Sequence, residues 1–92
     1  MPRPRLRRRV QGRPNSSYFK PAGIPMINLK EIVITMSEFE ALRLIDLNEI
    51  PQEKAGIKMQ ISQPTLSRIL KLARNKISDA IINGKAIKIE KE

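Results

Sequence analysis

MQISQPTLSRILKL, Met59 to Leu72, is the stretch on which the reading of this chain turns. Good helix formers stand at both of its ends, but Ser62, Gln63, Pro64 and Thr65 interrupt the middle with residues that favour caps and first turns. A proline inside a continuous helix removes a hydrogen bond and clashes with the preceding turn. In the first turn of a new helix the same ring is tolerated, and Ser62 can cap that turn. The stretch therefore predicts that one helix stops near Met59 and another starts at Ser62, with a break of about three residues.

Downstream, Leu66, Ile69, Leu70, Ala73, Ile77, Ala80 and Ile81 recur at helical spacing and form one apolar stripe. The opposite face holds Pro64, Ser67, Arg68, Lys71, Asn75 and Ser78, and Asn83 with Gly84 stops the helix. Upstream, Pro51 suits a first turn, and QEKAGIKM gives a short helix whose Gly56 is a packing choice or a weak point, at a propensity cost of up to ~1 kcal/mol. LKEIVITM, residues 29 to 36, is rich in β-branched residues and reads as a strand. Ser37 and Glu40 then have the spacing of a capping box, predicting a helix from Glu38 to about Asn48. Phe39, Leu42 and Ile45, with Ala41 and Leu44 beside them, would be its buried stripe, leaving an acidic outer face. KAIKIEKE at the end alternates as a short strand and is expected beside residues 31 to 36. The expected fold is mainly α, a three-helix domain (about 38–48, 51–59 and 62–83) with a short β pair, residues 21–92, behind an extended basic arm, residues 1–20.

The 92 residues carry a net charge of +9, unevenly spread. Arg3, Arg5, Arg7, Arg8, Arg9, Arg13 and Lys20 give the first twenty residues +7 without an acid; residues 21 to 50 carry −3 and residues 51 to 92 carry +5. Such a balance points to a polyanionic partner. No apolar run is long enough for a membrane span or a secretory signal, so a cytoplasmic protein without a membrane partner is expected. Neither cysteine nor histidine occurs, which removes the usual transition-metal ligands and most nucleophile–base pairs, and there is no glycine-rich phosphate loop. No enzyme activity, cofactor or metal is expected.

Two helices broken by a tight turn, the second opening with small polar side chains, make a helix-turn-helix. Ser62, Gln63, Pro64 and Thr65 are short enough to let the backbone approach a major groove, and Ser67, Arg68 and Lys71 follow on the same face. Gln can read adenine, Arg can read guanine, and Ser or Thr can bond bases or phosphates. A plain three-helix bundle with a wet polar face is the alternative, and the cations at 68, 71, 74 and 76 do not by themselves decide between the two. In the arm, Arg3, Arg5, Arg7, Arg8, Arg9 and Arg13 could follow phosphates or enter a minor groove through the GRP step at Gly12 to Pro14. Tyr18 and Phe19 read as core residues pinning the arm, or else as base-stacking aromatics.

The chain resembles the uncharacterised protein family 0251, small predicted DNA-binding proteins that open with MPRPR, as here at Met1 to Arg5. The similarity extends through YFKPAGIP (Tyr18 to Pro25), EIVITMSEFEALRLIDL (Glu31 to Leu47) and SQPTLSRIL (Ser62 to Leu70), and its helix-turn-helix part is similar to region 4 of sigma factors. The resemblance implies sequence-specific binding of double-stranded DNA in transcriptional control, with Ser62 opening the recognition helix and Gln63, Pro64, Ser67, Arg68 and Lys71 facing the groove. Two positions depart from the family pattern. Arg7 stands where members often have a cysteine, so no metal or redox role carries over, and Gln60 stands at the turn position where glycine is usual. A non-glycine residue there costs on the order of 1 kcal/mol if φ is positive.

The expected function is that of a DNA-binding transcriptional regulator. An RNA-binding or ribosome-associated protein is the first alternative, and the second is a module contacting RNA polymerase or another protein through Leu72, Ile82 and the acidic first helix. One helix-turn-helix reads few base pairs, so a homodimer on a two-fold site, served by Ile82, is a further expectation.

Overall fold

The architecture of the chain is taken from a computed structural model, which describes residues 9 to 91. Strand β1 (Tyr18–Phe19) is followed by a single 3-10 turn (Met26–Asn28) and by β2 (Glu31–Ile34). Helix α1 (Met36–Ala41) continues directly into π-helical turns over Leu42–Leu47, then come α2 (Gln52–Met59), α3 (Gln63–Asn83) and β3 (Ala86–Ile89). The result is mainly α with a small sheet, as the sequence predicts.

Strands β2 and β3 run parallel, pairing Glu31 with Ala86 through Ile34 with Ile89. Parallel neighbours need a crossover, and here the whole three-helix unit forms it. The β pair is widened by a third strand: β1 lies antiparallel on the other side of β3, in the order β1-β3-β2, with Tyr18 opposite Lys88. Tyr18 and Phe19 thus hold their segment by backbone pairing and not by core burial, since Phe19 remains 51% exposed. The Tyr18 hydroxyl donates to Glu31 Oε2 at 2.8 Å, which together with the neighbouring negative charge raises the phenol above its ordinary pKa.

Ala41, Leu44, Ala55, Met59, Leu66 and Leu70 form the core where α1, α2 and α3 meet. Farther along α3, Ala73 and Ala80 are buried, as are Ile34, Ala86 and Ile89 of the sheet, and the small side chains let helix and strands come close. No described helix is long and apolar enough to cross a membrane.

Three expectations are corrected. The capping box at the start of α1 is Thr35 with Glu38, not Ser37 with Glu40: Glu38 N–H donates to Thr35 Oγ1 at 3.1 Å and Thr35 N–H to Glu38 Oε1 at 2.9 Å. Both pairs have the same spacing, and the tertiary structure selects the earlier one because it turns Ser37 and Glu40 inward. The acidic outer face of this helix is therefore reduced to Asp46, which stays exposed and paired with Arg74: Glu38 and Glu40 are 5% and 1% exposed, and each is neutralised, by Lys76 and Arg43 respectively. Ile81, placed in the buried stripe of α3, is 73% exposed, because the sheet covers the last turns only on the side of Ile77 and Ala80.

Candidate nucleic-acid interface

Helix α2 ends because Gln60 takes the left-handed conformation, φ 60° and ψ 44°, and its N–H bonds back to Gly56 O and Ile57 O. The next amide, of Ile61, also returns to Gly56 O at 3.0 Å. A β-carbon on Gly56 would lie 3.1 Å from Ile61 O, so this glycine is what lets the turn fold back over α2. Gln60 is an exposed non-glycine residue in a region where side chains crowd the carbonyl. Gln60→Gly is expected to stabilise the domain by up to ~1 kcal/mol, partly offset by the freer unfolded chain, and a higher urea midpoint at unchanged slope would register it.

The second helix starts as its sequence requires. Ser62 accepts from Thr65 N–H at 3.2 Å, its hydroxyl donates to Thr65 Oγ1 at 2.8 Å, and Pro64 sits in the first turn without a missing partner. Ser62, Gln63, Pro64, Ser67, Arg68 and Lys71 are all exposed on one edge of α3; Thr65 is half-buried and its hydroxyl is already engaged by Ser62. This edge lies on the surface, as a helix-turn-helix and a bundle with a wet polar face both require.

The cations of α3 divide into two groups. Arg74 clasps Asp46, Nη2 to Oδ1 at 2.6 Å and Nε to Oδ2 at 3.1 Å, and this hydrogen bonding lowers the aspartate pKa and raises that of the guanidinium. Lys76 donates to Glu38 Oε1 at 2.9 Å and to Val33 O at 2.7 Å, covering the outer edge of β2. Arg68 and Lys71, by contrast, have no hydrogen-bonded or ionic partner among the described residues, and neither do the exposed Lys54 and Lys58 of α2. Lys54 and Lys58 went unremarked in the sequence, although their i, i+4 spacing on a short helix places them on one face.

The arm is tied down where it meets the body. Arg9 N–H donates to Met59 O at 3.0 Å, at the last residue of α2. Gln11 and Gly12 donate their amides to Glu40 Oε2 and Oε1, each at 3.1 Å, and Arg43 closes the other side of the carboxylate with Nε and Nη2 at 2.9 and 2.8 Å. Burial alone would push the Glu40 carboxyl up, but the hydrogen bonds from Arg43, Gln11 and Gly12 outweigh it and hold the group below its ordinary value. Residues 9 to 19, read from the sequence as part of an extended basic arm, thus include both this anchored strap and strand β1. Gly12 belongs to the strap: a β-carbon there would fall inside the Arg43 side chain. Arg9 and Arg13 are exposed, whereas Arg3, Arg5, Arg7 and Arg8 lie outside the described residues. Nothing in the sequence marked Glu40 as an anchor, since Glu and Arg three apart on a helix are ordinarily a surface pair.

A family model described as "Protein of unknown function DUF134" matches residues 1–91 of the chain. Among curated relatives, the UPF0251 protein of Caldanaerobacter subterraneus subsp. tengcongensis is 50% identical over 98% of this chain and 76% of its own length. That of Thermoanaerobacter sp. is 48% identical over 98% and 80%, and that of Moorella thermoacetica 48% identical over 98% and 60%. No solved structure matches.

Proposed function

The chain belongs to the family of unknown function DUF134, whose members include the UPF0251 proteins, and on that premise we propose that it is a sequence-specific double-stranded DNA-binding protein acting in transcriptional control. The observation that carries this reading is the sorting of cations on α3. Arg74 and Lys76 are used to hold the fold, whereas Arg68 and Lys71, on the exposed edge that begins at the turn, have no partner among the described residues. Leaving two like charges without internal partners has no stabilising role in the domain, and phosphate oxygens or a guanine edge would supply those partners. Gln63, Ser67 and Arg68 are the base-reading side chains in this proposal, Lys71, Lys54 and Lys58 face the phosphates, and Ser62 and Pro64 keep the approach narrow. Thr65 contributes chiefly through the cap it shares with Ser62.

Selection of bound duplexes from a random pool at physiological salt is the test. A defined motif is expected, its symmetry reporting whether one copy or two bind. The affinity should fall by roughly 0.9 log units per log unit of salt for each neutralised phosphate. Arg68→Ala should cost about 1 to 3 kcal/mol on the preferred duplex and flatten the preference at one position. Recovery of no motif, or equal binding of all duplexes by Arg68→Ala and the wild type, would overturn the reading.

A further inference from the structure

A cavity of about 360 Å³ opens where the chain beyond Gly12 passes the π-helical turns. Phe39, Leu42, Leu47 and Pro14 give it apolar walls, and Arg13 and Arg43 line it with guanidinium groups. No acidic side chain among the described residues lines it, and neither does any side chain proposed to face DNA. Its volume falls within the range of small-molecule sites, roughly 300 to 1,000 Å³, which likewise combine apolar walls with a few polar groups.

Leu42 and Leu47 share this cavity because the helix changes its pitch there. In an α-helix, at about 100° per residue, side chains five positions apart point about 140° away from each other. Turns bonded from i to i+5 are wider and bring such residues to one side, and π-helical turns recur at functional sites. Leu47 is left 74% exposed as a result, with only the cavity to face. The cations arrive from two directions. Gly12 N–H is bonded to Glu40 Oε1 at 3.1 Å, which holds the next residue, Arg13, at the cavity. Arg13 has no hydrogen-bonded or ionic partner among the described residues. Arg43 spends Nε and Nη2 on Glu40, leaving Nη1 without a partner among the described residues. Two guanidinium groups against the one Glu40 carboxylate leave a single net positive charge beside the apolar walls.

We propose that this cavity binds a small organic monocarboxylate, its carboxylate held by Arg13 and by Nη1 of Arg43 and its apolar body lying against Phe39, Leu42 and Leu47. Guanidinium groups match carboxylate oxygens in charge and in planar geometry. An inorganic anion would leave the apolar walls wet, and a neutral molecule would leave Arg13 without a counter-charge. The proposal goes beyond the DNA-binding reading and does not depend on it.

The full chain is titrated with benzoate and with hexanoate at constant ionic strength, and backbone amide shifts are followed by NMR. Benzamide, acetate and inorganic phosphate are the comparisons. Benzoate or hexanoate should saturate at millimolar concentration, the scale for so few ligand atoms, with the largest shifts at the amides of Arg13, Leu42 and Leu47. Benzamide lacks the charge and acetate and phosphate lack the apolar body, so each should bind at least about tenfold more weakly. Arg13→Gln should weaken benzoate about tenfold, the scale of one charge-assisted hydrogen bond, and leave benzamide unchanged. Leu47→Ala, at an exposed position, should weaken hexanoate several-fold and leave acetate unchanged. Saturation by neither carboxylate, or shifts centred elsewhere on the molecule, would overturn the proposal. So would benzamide or phosphate binding as tightly as benzoate, or a folded Arg13→Gln or Leu47→Ala with wild-type affinity for both carboxylates.

Discussion

Leu66→Ala is expected to lower the free energy of unfolding by about 2 to 5 kcal/mol, the range for truncating a buried leucine whose site relaxes only in part. Leu66 has no exposed surface and packs in the cluster of Ala41, Leu44, Ala55, Met59 and Leu70, one turn into α3. Its neighbour in the sequence, Ser67, lies on the edge proposed to face DNA, so the same turn of helix carries the packing of α3 on α2 and the presentation of the reading edge. Few side chains this large are wholly buried here, Met59 and Leu70 being the comparable ones, which leaves little to share the loss. For a domain of this size each kcal/mol lowers Tm by roughly 4 to 8 °C. Leu72→Ala, at a position 54% exposed on the same helix, should change stability by no more than about 0.5 kcal/mol. Urea unfolding of both variants checks the assignment of the two faces, and equal losses would contradict it.

Glu40→Ala should cost about 3 kcal/mol, the lower end of what breaking a buried ion pair costs, because the Arg43 side chain is 27% exposed and can recover some hydration. The strap amides of Gln11 and Gly12 cannot do so without leaving the body. The effect is tied to pH. Glu40 titrates below its ordinary value in the folded state, so its contribution is present in full above the unfolded carboxyl pKa of about 4.3 and is lost as pH falls through the folded value. Denaturation at pH 7 should therefore show the full gap between wild type and variant, and denaturation near pH 3 a smaller one. Asp46, lowered by its hydrogen bond from Arg74, titrates in the same direction but is present in both proteins and cancels in the comparison. A gap that stays constant with pH would mean that the loss comes from packing and not from the carboxylate.

These two residues mark the limits of what the chain makes legible. Leu66 belongs to a helical stripe visible from spacing alone, and of that stripe only Ile81 is exposed, because nothing in a periodic pattern records where the covering sheet ends. Glu40 reads from the sequence as a cap and a solvated acid, and it is neither. Its partners Gln11 and Gly12 lie 29 and 28 residues away, and Lys76 lies 38 residues from Glu38. The third strand escaped notice for a related reason: Tyr18 and Phe19 are two residues without a periodic neighbour, and they become a strand only by docking on β3.

The break between Met59 and Ser62, the capped start of α3 and its stop at Gly84 all follow from the chain itself, because each depends on steric and hydrogen-bonding preferences within four or five residues. The register of α1, the inward turn of its two glutamates, the anchoring of residues 9 to 12 and the division of the α3 cations into paired and unpaired were decided only by the assembled fold. A charge can be buried, or left free, only according to which donors and acceptors the rest of the chain brings within about 3 Å of it, and local sequence carries no record of that distance.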